Sequence, residues 1–258
     1  MNREYHQPRS VLATHVTPAI LPSDYKDLTS RLQKIASIVD WVQIDVVDGK
    51  YAPNKTWPFT EDSRGIFTSI VKQDEPMPYW EEMSFEIDLM VTDPVFEANR
   101  WIAAGAMRLV IHIDSIEFNT FLELARTIEE KGVEMVLGFG VTSSFEKLKK
   151  YIDAVEDASN PINHGKNRKV INWIQCMGIE KIGFQAQPFD VRVLENVKKI
   201  KEIYPSILIS IDGGVNLQSA PMLVEAGADR LVVGSALFNS NSISDTLVEI
   251  SNTFKLRG

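Results

Sequence analysis

Two stretches of the chain, WIAAGAMRLV at residues 101–110 and LVEAGADRLV at residues 223–232, share one pattern. Each runs from an amphipathic segment through Ala-Gly-Ala into a short apolar run. Gly105 and Gly227 suit the residue that follows the end of a helix before the next strand begins. Such a helix–turn–strand unit is typical of a parallel sheet covered by helices. The two stretches therefore predict a repeated βα architecture.

The same alternation extends along the rest of the chain. Short runs rich in Val, Ile and Leu alternate with longer amphipathic segments, several of which begin at Asp, Ser, Thr or Pro. The predicted strands are Val16–Leu21, Trp41–Val46, Ser84–Leu89, Arg108–Ile113, Glu134–Phe139, Trp173–Gly178, Ile207–Ile211 and Arg230–Val233. Eight βα units in 258 residues fit a closed barrel better than an open doubly wound sheet, which typically has fewer strands and a GxGxxG turn. We expect an α/β protein, a single-domain (β/α)8 TIM barrel.

The domain boundaries follow from the same pattern. Residues 1–15 precede the first predicted strand as an N-terminal extension, and residues 16–258 form the TIM-barrel domain. Two polar, turn-rich stretches, residues 73–83 and residues 158–169, interrupt the alternation. Both are predicted to be exposed insertions.

The composition disfavours several functional classes. The chain is 44% hydrophobic and 24% charged, which is typical of a soluble globular protein. No apolar run approaches the roughly 20 residues of a membrane span, and the first residues lack the apolar stretch of a signal peptide. With 27 Lys and Arg against 35 Asp and Glu, the net charge of −8 disfavours nucleic acid or anionic membranes as partners. A single cysteine, Cys176, fits a reducing compartment, so a cytoplasmic location is expected.

Acidic side chains stand at the carboxyl ends of the predicted strands, where the reacting groups of a TIM barrel lie. Asp45, Asp88 and Asp212 each follow mainly apolar strand residues. Burying a lone carboxylate costs several kcal/mol unless it is paired or bound. Loop amides could satisfy any one of these carboxylates, but three that converge on one end of a barrel indicate a functional site.

Glycines follow the last two predicted strands. Gly213 and Gly214 lie in IDGGV, and Gly234 precedes Ser235 in VVGSALF. Such turns expose consecutive backbone N–H groups, and phosphate sites of TIM barrels recur after strands seven and eight. Ordinary turn chemistry is the alternative. We favour a phosphate site, held locally because the net charge repels anions.

Several motifs together resemble the ribulose-phosphate 3-epimerase family of phosphate-binding TIM barrels, over about Val16 to Phe238. The motifs are TPAILPSDYKDL (residues 17–28), VQIDVVDGKYAPN (42–54), IDLMV (87–91) with the following Pro94, GFQAQPF (183–189), IDGGV (211–215) and VVGSALF (232–238). They are similar to the family's first three strands, its glycine-rich loop after strand six and its phosphate-binding ends. The Asp-x-x-Asp-Gly run ending in Pro53-Asn54 is the most specific of them.

The resemblance implies an isomerase of carbohydrate metabolism, in the pentose phosphate pathway. Such an enzyme removes the proton alpha to the ketone of D-ribulose 5-phosphate, or a related ketose phosphate, and returns it on the other face to give the D-xylulose epimer. Asp45 and Asp212 are implied as the acid/base pair. The implied substrate-binding and phosphate-binding residues are Gly183, Phe184, Gln185, Ala186, Gly213, Gly214, Gly234, Ser235, Met90 and Met177.

The chain departs from the family at the metal site, which in the family consists of two histidines and two aspartates. Gln43 and Asp88 stand at the histidine positions. Together with Asp45 and Asp212 they would offer only oxygen ligands, which suit Mg²⁺ or Mn²⁺ better than Zn²⁺. The equally open alternative is that no metal binds and the acidic side chains share protons or find cationic partners.

Further departures lie beside the site. The family's serine near the end of strand one is Ala19, and its paired glycines after strand six are Gln185 and Ala186. His112 matches a family histidine on strand four that is not a metal ligand, so we expect it to be a hydrogen-bonded residue of the interior.

Two other functions stay open at this point. One is a phospho-ligand binder that keeps the phosphate site without the chemistry. The other is an isomerase or lyase acting on another phosphorylated substrate, although such relatives use a lysine among strand-end aspartates and no Asp-x-Lys-x-x-Asp occurs here. In each case the expected partner is a phosphorylated small molecule, a sugar in the leading interpretation, and association into a homo-oligomer is left open.

Overall fold

The computed structural model describes residues 15–60, 64–156, 171–184 and 186–256. Eight parallel strands pair in chain order and close into a barrel, which confirms the predicted (β/α)8 TIM-barrel fold. The strands are β1 (Val16–Ile20), β2 (Trp41–Val47), β3 (Ser84–Met90), β4 (Arg108–His112), β5 (Glu134–Phe139), β6 (Ile171–Met177), β7 (Leu208–Asp212) and β8 (Arg230–Val233). The helices are α1 (Tyr25–Ile35), α2 (Arg64–Val71), α3 (Pro94–Ala103), α4 (Phe118–Glu130), α5 (Phe145–Glu156), α6 (Arg192–Ile203), α7 (Ser219–Ala226), α8 (Ser235–Phe238) and α9 (Ile243–Asn252).

The two Ala-Gly-Ala stretches adopt the same turn. Gly105 and Gly227 have φ of +97° and +121°, a conformation that costs an L side chain free energy. In each stretch the alanine after the glycine donates its N–H back into the preceding helix, from Ala106 to Trp101 and from Ala228 to Leu223, at 2.9 and 3.0 Å. The repeated sequence therefore forms a repeated helix ending.

The strands are buried on both faces, and the two faces differ in chemistry. Along β2, Val42, Ile44 and Val46 belong to the apolar core, whereas the alternating Gln43 and Asp45 are buried polar residues. In-register pairing sets Gln43 beside Glu86 and Asp45 beside Asp88 of β3. Because the side chains of a strand alternate between its faces, polar groups of neighbouring strands meet inside the barrel.

The amino-terminal end of the interior is closed by a network of ion pairs. The fully buried Glu86 accepts hydrogen bonds from Nη2 of Arg230, at 3.0 and 2.8 Å, and from Nη1 of Arg108 at 2.9 Å. Arg108 also donates from Nε to Glu134 at 2.6 Å. Both guanidinium groups lie over the ring of Trp173, at 4.6 Å for Arg230 and 5.6 Å for Arg108. These contacts fill the barrel interior on the amino-terminal side of the aspartates.

A few element boundaries differ from the sequence prediction. Strand β6 begins at Ile171 rather than Trp173, because Ile171 pairs with Met135 across an irregular register on β5. Residues 73–83 form no helix or strand and are largely exposed, although Met77 and Met83 are buried beneath them. The predicted insertion at 158–169 and the extension before residue 15 lie outside the described residues. Within the described ranges, no helix has the length and apolarity of a membrane span.

Candidate active site

A cavity of about 380 Å³ opens at the carboxyl ends of the strands. Asp45 of β2, Asp212 and Met177 line it, together with most of the loop residues predicted for substrate binding. Those loop residues are Gly183, Phe184, Ala186, Gly213, Gly214, Gly234 and Ser235. Met90 is placed elsewhere, packed with Val47 and Ala52, and Gln185 lies outside the described residues.

The turn after β7 requires glycine at consecutive positions. Gly213 and Gly214 have φ of +94° and +68°. A Cβ on Gly214 would stand 2.9 Å from Cα of Phe189, and a Cβ on Gly178 would stand 2.3 Å from the carbonyl oxygen of Gly213. Backbone therefore packs against backbone here, and a turn of this shape without side chains brings peptide groups close to whatever occupies the cavity.

Asn216 holds the start of α7 behind this turn. Its Oδ1 accepts hydrogen bonds from the N–H groups of Gln218 and Ser219, at 2.8 and 3.0 Å. Ser219 Oγ in turn donates to the carbonyl oxygen of Gly214 at 2.9 Å. On the neighbouring side, Gly234 precedes the single turn of α8, whose first amides have no partner within the helix. Both loops present backbone to the same end of the cavity.

Three buried carboxylates converge at the other end of the cavity. One oxygen from each of Asp45, Asp88 and Asp212 lies within 4.8 Å of the others. Asp88 is fully buried beneath the floor, whereas Asp45 and Asp212 are each 8% exposed and line the cavity. The predicted convergence of the three aspartates is thus seen in the structure. By distance alone they are compatible with a divalent cation.

The side chain of Gln43 joins two of these carboxylates. Its Nε2 donates to Oδ1 of Asp45 and to Oδ2 of Asp212, both at 2.8 Å. Its Oε1 is buried and has no hydrogen-bond partner among the described residues. The sequence predicted Gln43 as an oxygen ligand of a metal, but the structure turns the amide nitrogen, not the oxygen, toward the aspartates. In this arrangement the four residues do not form an all-oxygen ligand set.

Asp88 is held by His112 and Gln175. His112 Nε2 lies 2.7 Å from Oδ1 of Asp88, and Gln175 Nε2 donates to Oδ2 of Asp88 at 3.0 Å. The same Gln175 nitrogen is 3.4 Å from Oδ2 of Asp212. His112 is thus a hydrogen-bonded interior residue, as the sequence predicted. The sequence did not predict a role for Gln175, although it shares its strand face with Met177, two residues further along β6.

Burial shifts the pKa values of these groups. Desolvation first, and then the nearby carboxylates of Asp212 and Asp88, raise the pKa of Asp45 well above its usual range. Desolvation and the Asp88 carboxylate raise the pKa of Asp212 to about 7. Desolvation lowers the pKa of the His112 imidazole, but contact with Asp88 raises it by more. The cluster therefore retains a proton near neutral pH, which lets one carboxyl act as an acid while another acts as a base.

Asp48 stabilises the loop after β2 and does not line the cavity. Its Oδ1 accepts from the N–H groups of Lys50 and Tyr51, at 2.7 and 2.9 Å, and its Oδ2 accepts from N and Oγ1 of Thr92, both at 2.8 Å. These bonds lower the pKa of the Asp48 carboxyl although burial alone would raise it. They leave Asp48 a structural role.

Several cavity residues that the sequence did not predict come from loops. Ile179, Gln187 and Asn239 line the cavity. No local pattern marks such positions, because the course of a loop depends on what it packs against. Asn54 shows this dependence, since its Nδ2 donates to the carbonyl oxygen of Gly183 at 2.9 Å and joins the loop after β2 to the loop after β6.

Comparisons with known proteins point to one family. A model of a family described as the ribulose-phosphate 3 epimerase family matches residues 15–238. A ribulose-phosphate 3-epimerase from Bacillus subtilis is 28% identical over 244 residues, covering 91% of this chain and 97% of that protein. The cytoplasmic isoform of the enzyme from rice, Oryza sativa, is 25% identical over 229 residues, covering 88% of this chain and 89% of that protein.

Solved structures show the same fold at lower identity. A 3-keto-L-gulonate-6-phosphate decarboxylase from Vibrio cholerae superposes with a TM-score of 0.66 at 13% identity, covering 95% of this chain and 98% of that one. A 3-hexulose-6-phosphate synthase from Salmonella typhimurium has a TM-score of 0.64 at 15% identity, with 95% of this chain and 100% of that one covered. At such identities the likeness supports the barrel fold alone.

Proposed function

The chain belongs to the ribulose-phosphate 3-epimerase family, and we propose that this isomerase interconverts D-ribulose 5-phosphate and D-xylulose 5-phosphate, with Asp45 and Asp212 as its acid and base. One observation carries the proposal. Asp45 and Asp212 lie on β2 and β7, which β8 and β1 separate, yet both line one cavity that ends at the glycine turns. A proton donor and a proton acceptor from different strands would therefore reach one ligand bound in this cavity.

The substrate's phosphate would lie between the turns after β7 and β8. Backbone N–H groups near Gly213, Gly214, Gly234 and Ser235 would hold it, since peptide dipoles bind phosphate without a positive net charge. A cavity of about 380 Å³ is within the size range of small-ligand sites. The sugar carbons would then extend from the turns toward Asp45 and Asp212.

The reaction needs one ionised and one protonated aspartate. The ionised one takes the proton from C3, and the electrons of the C–H bond move through C2 onto the ketone oxygen to give an enediolate. The protonated one then gives its proton to the opposite face of C3, and the ketone forms again. The pair ends with the proton on the other residue, ready for the reverse reaction. The raised pKa values of both carboxyls suit this exchange at neutral pH.

Substitution of each aspartate tests the proposal. Asp45→Asn and Asp212→Asn should each lower kcat by about 10²-fold to 10⁴-fold, because an amide of the same shape cannot transfer the proton. Binding of the sugar phosphate, measured by calorimetry, should persist. Since each residue serves one face, one variant is expected to exchange the C3 proton with deuterated solvent while it forms no epimer.

The matched control is Asp114→Asn. Asp114 also follows a strand, but it pairs with Lys147 at 3.3 Å and lies outside the cavity, so the same chemical change should leave kcat unaltered. Wild-type protein that neither epimerises nor exchanges the proton of any pentulose or hexulose phosphate would refute the proposal. Tight phosphate binding by such an inactive protein would instead identify a phospho-ligand binder.

A further inference from the structure

The side-chain amide of Gln43 lies between the carboxylates of Asp45 and Asp212, the proposed acid and base. Both of its N–H bonds are used, one for Asp45 and one for Asp212, although Gln43 and Asp212 are 169 residues apart in sequence. Gln43 is completely buried and lies outside the lining of the cavity. Its nitrogen therefore acts on the two aspartates from below the floor of the site, without reaching a ligand.

The orientation of this amide follows from the charges around it. With its ends exchanged, Oε1 would lie against one oxygen of each of two carboxylates, an arrangement of three mutually repelling oxygens. With the nitrogen toward them, two hydrogen bonds form and the remaining Oε1 is left buried without a partner among the described residues. The two hydrogen bonds from Gln43 form a bridge between Asp45 and Asp212. Their cost is one buried carbonyl oxygen without a partner.

A cation on the same oxygens would compete with this bridge. It would have to share Oδ1 of Asp45 and Oδ2 of Asp212 with N–H hydrogens that carry positive partial charge. Asp88 offers no free oxygen either, because its Oδ1 contacts His112 and its Oδ2 accepts from Gln175. The donors present already occupy one oxygen of Asp45, one of Asp212 and both of Asp88, which leaves a metal too few carboxylate oxygens for a complete ligand set.

We infer that this epimerase works without a bound divalent metal and that Gln43 is the positioning residue that takes the cation's place. The bridge fixes Asp45 and Asp212 relative to each other through one oxygen of each. The second oxygen of each carboxylate receives no hydrogen bond from the described residues and is left to face the substrate. The inference rests on the proposed function for its kinetic test alone, since metal binding can be measured on any folded protein.

The first experiment uses the full-length wild-type protein. Metal content after purification without added metal should be far below one equivalent, and calorimetry with Mn²⁺, Mg²⁺ or Zn²⁺ alone should show no tight binding. The epimerase rate should be unchanged by a chelator and by added Mn²⁺. A stoichiometric metal in purified protein, or a rate that the chelator abolishes and metal restores, would overturn the inference.

Two variants are designed to bind a metal ion more tightly than wild-type protein does. Gln43→Glu replaces the donor by a fourth carboxylate and should bind Mn²⁺ at least about tenfold more tightly than wild type, because ligand charge sets the affinity of oxygen sites. Gln43→His combined with Asp88→His would supply two imidazoles and two carboxylates, a set suited to Zn²⁺. Its melting temperature should therefore rise with Zn²⁺, while that of wild type stays constant. Wild-type protein that binds these ions as tightly as the variants would also contradict the inference.

Gln43→Leu tests the positioning role itself. It removes the bridge without supplying a metal ligand, so kcat should fall while KM for the sugar phosphate stays constant, since Gln43 does not line the cavity. Loss of thermal stability with unchanged kcat would reduce Gln43 to a structural residue. If wild-type protein binds no metal but epimerises nothing, the proposed function fails while the metal result stands.

Discussion

The two ends of the barrel interior bury carboxylates in opposite ways, and strand β3 contributes to both. At the amino-terminal end, Glu86 is held by the guanidinium groups of Arg108 and Arg230. Two residues further along, Asp88 meets an imidazole and a neutral amide, and an oxygen of each of Asp45 and Asp212 lies within 4.8 Å of one of its own. One end therefore pairs its buried charge with permanent cations, whereas the other pairs it mainly with neutral donors.

The pKa values show the consequence of this difference. Burial alone would raise the pKa of Glu86, but Arg230 and Arg108 lower it overall, so this carboxylate stays charged. At the other end, burial and neighbouring carboxylates raise the pKa values of Asp45 and Asp212. Burial thus leaves a carboxyl ionised at one end and raises the pKa of carboxyls at the other, depending on whether a permanent cation is within reach.

Removing the charge of Glu86 is expected to have the largest effect on stability. Glu86→Gln leaves the buried guanidinium group of Arg230 without its carboxylate partner and takes from Arg108 one of its two, and breaking a buried ion pair by removing one partner costs about 3–5 kcal/mol. Urea denaturation measures the loss, and kcat per folded molecule should change little. Glu134→Gln is the control, since Glu134 is partly exposed and its one ion pair within the described part of the chain is with Arg108. Equal losses of unfolding free energy for the two variants would show that the burial of Glu86 does not increase the cost of breaking its ion pairs.

A methyl group on Gly214 should affect the cavity end specifically. Gly214→Ala puts a Cβ at φ of +68° and 2.9 Å from Cα of Phe189, so the turn must shift. We expect affinity for a sugar phosphate to fall about tenfold, or about 1.4 kcal/mol. Gly132→Ala is matched for backbone strain, with φ of +72°, and its Cβ meets nothing within 4 Å. Weaker binding by both variants would point to general destabilisation in place of a local phosphate site.

The pH dependence of stability should differ in sign between the two ends. Asp212 has a pKa of about 7 in the folded protein and an ordinary value of 3.8, so its contribution to stability is fully present below pH 3.8 and is lost as the pH rises toward 7. Asp212→Asn should therefore gain in unfolding free energy relative to wild type across this range. We expect about 1–2 kcal/mol, because neighbouring carboxylates share the proton.

Glu86 should show the opposite pH dependence of stability. Its lowered pKa gives stability that is present above its ordinary value of 4.5 and is lost as the pH falls further. The deficit of Glu86→Gln should therefore shrink in acid, whereas the gain of Asp212→Asn should appear as the pH rises to neutrality. Urea unfolding at a series of pH values checks both expectations. If unfolding free energy depends on pH in the same way for the two variants and wild type, the two ends of the barrel interior do not differ as proposed.

The sequence predicts the barrel and the convergence of the aspartates better than it predicts what surrounds them. Strands buried on both faces give apolar runs that end at Asp45, Asp88 and Asp212, and these local patterns suffice to gather the carboxylates at one end. The direction of the Gln43 amide depends on Asp212, 169 residues away, and the pairing of Glu86 depends on Arg230, 144 residues away. Such partners are set by barrel closure, which no local pattern contains.

The smallest effect should come from the loop contact beside the cavity. Asn54 donates to the carbonyl oxygen of Gly183 at 2.9 Å, and a Cβ on Gly183 would stand 2.9 Å from that of Ala52, so the loops after β6 and β2 are in close contact. Asn54→Ala removes the hydrogen bond while the close packing remains, which costs about 0.5–1.5 kcal/mol.

Because Gly183 lines the cavity and Asn54 does not, we expect Asn54→Ala to raise KM by a factor of a few and to leave kcat unchanged. Asn99→Ala removes a bond of the same kind and length, from Nδ2 to the carbonyl oxygen of Val95 on the exposed side of α3, and should leave both constants unaltered. A fall in kcat for Asn54→Ala at constant KM would mean that the loop after β6 acts on Asp45 and Asp212. That loop would then contribute to proton transfer and not to substrate binding.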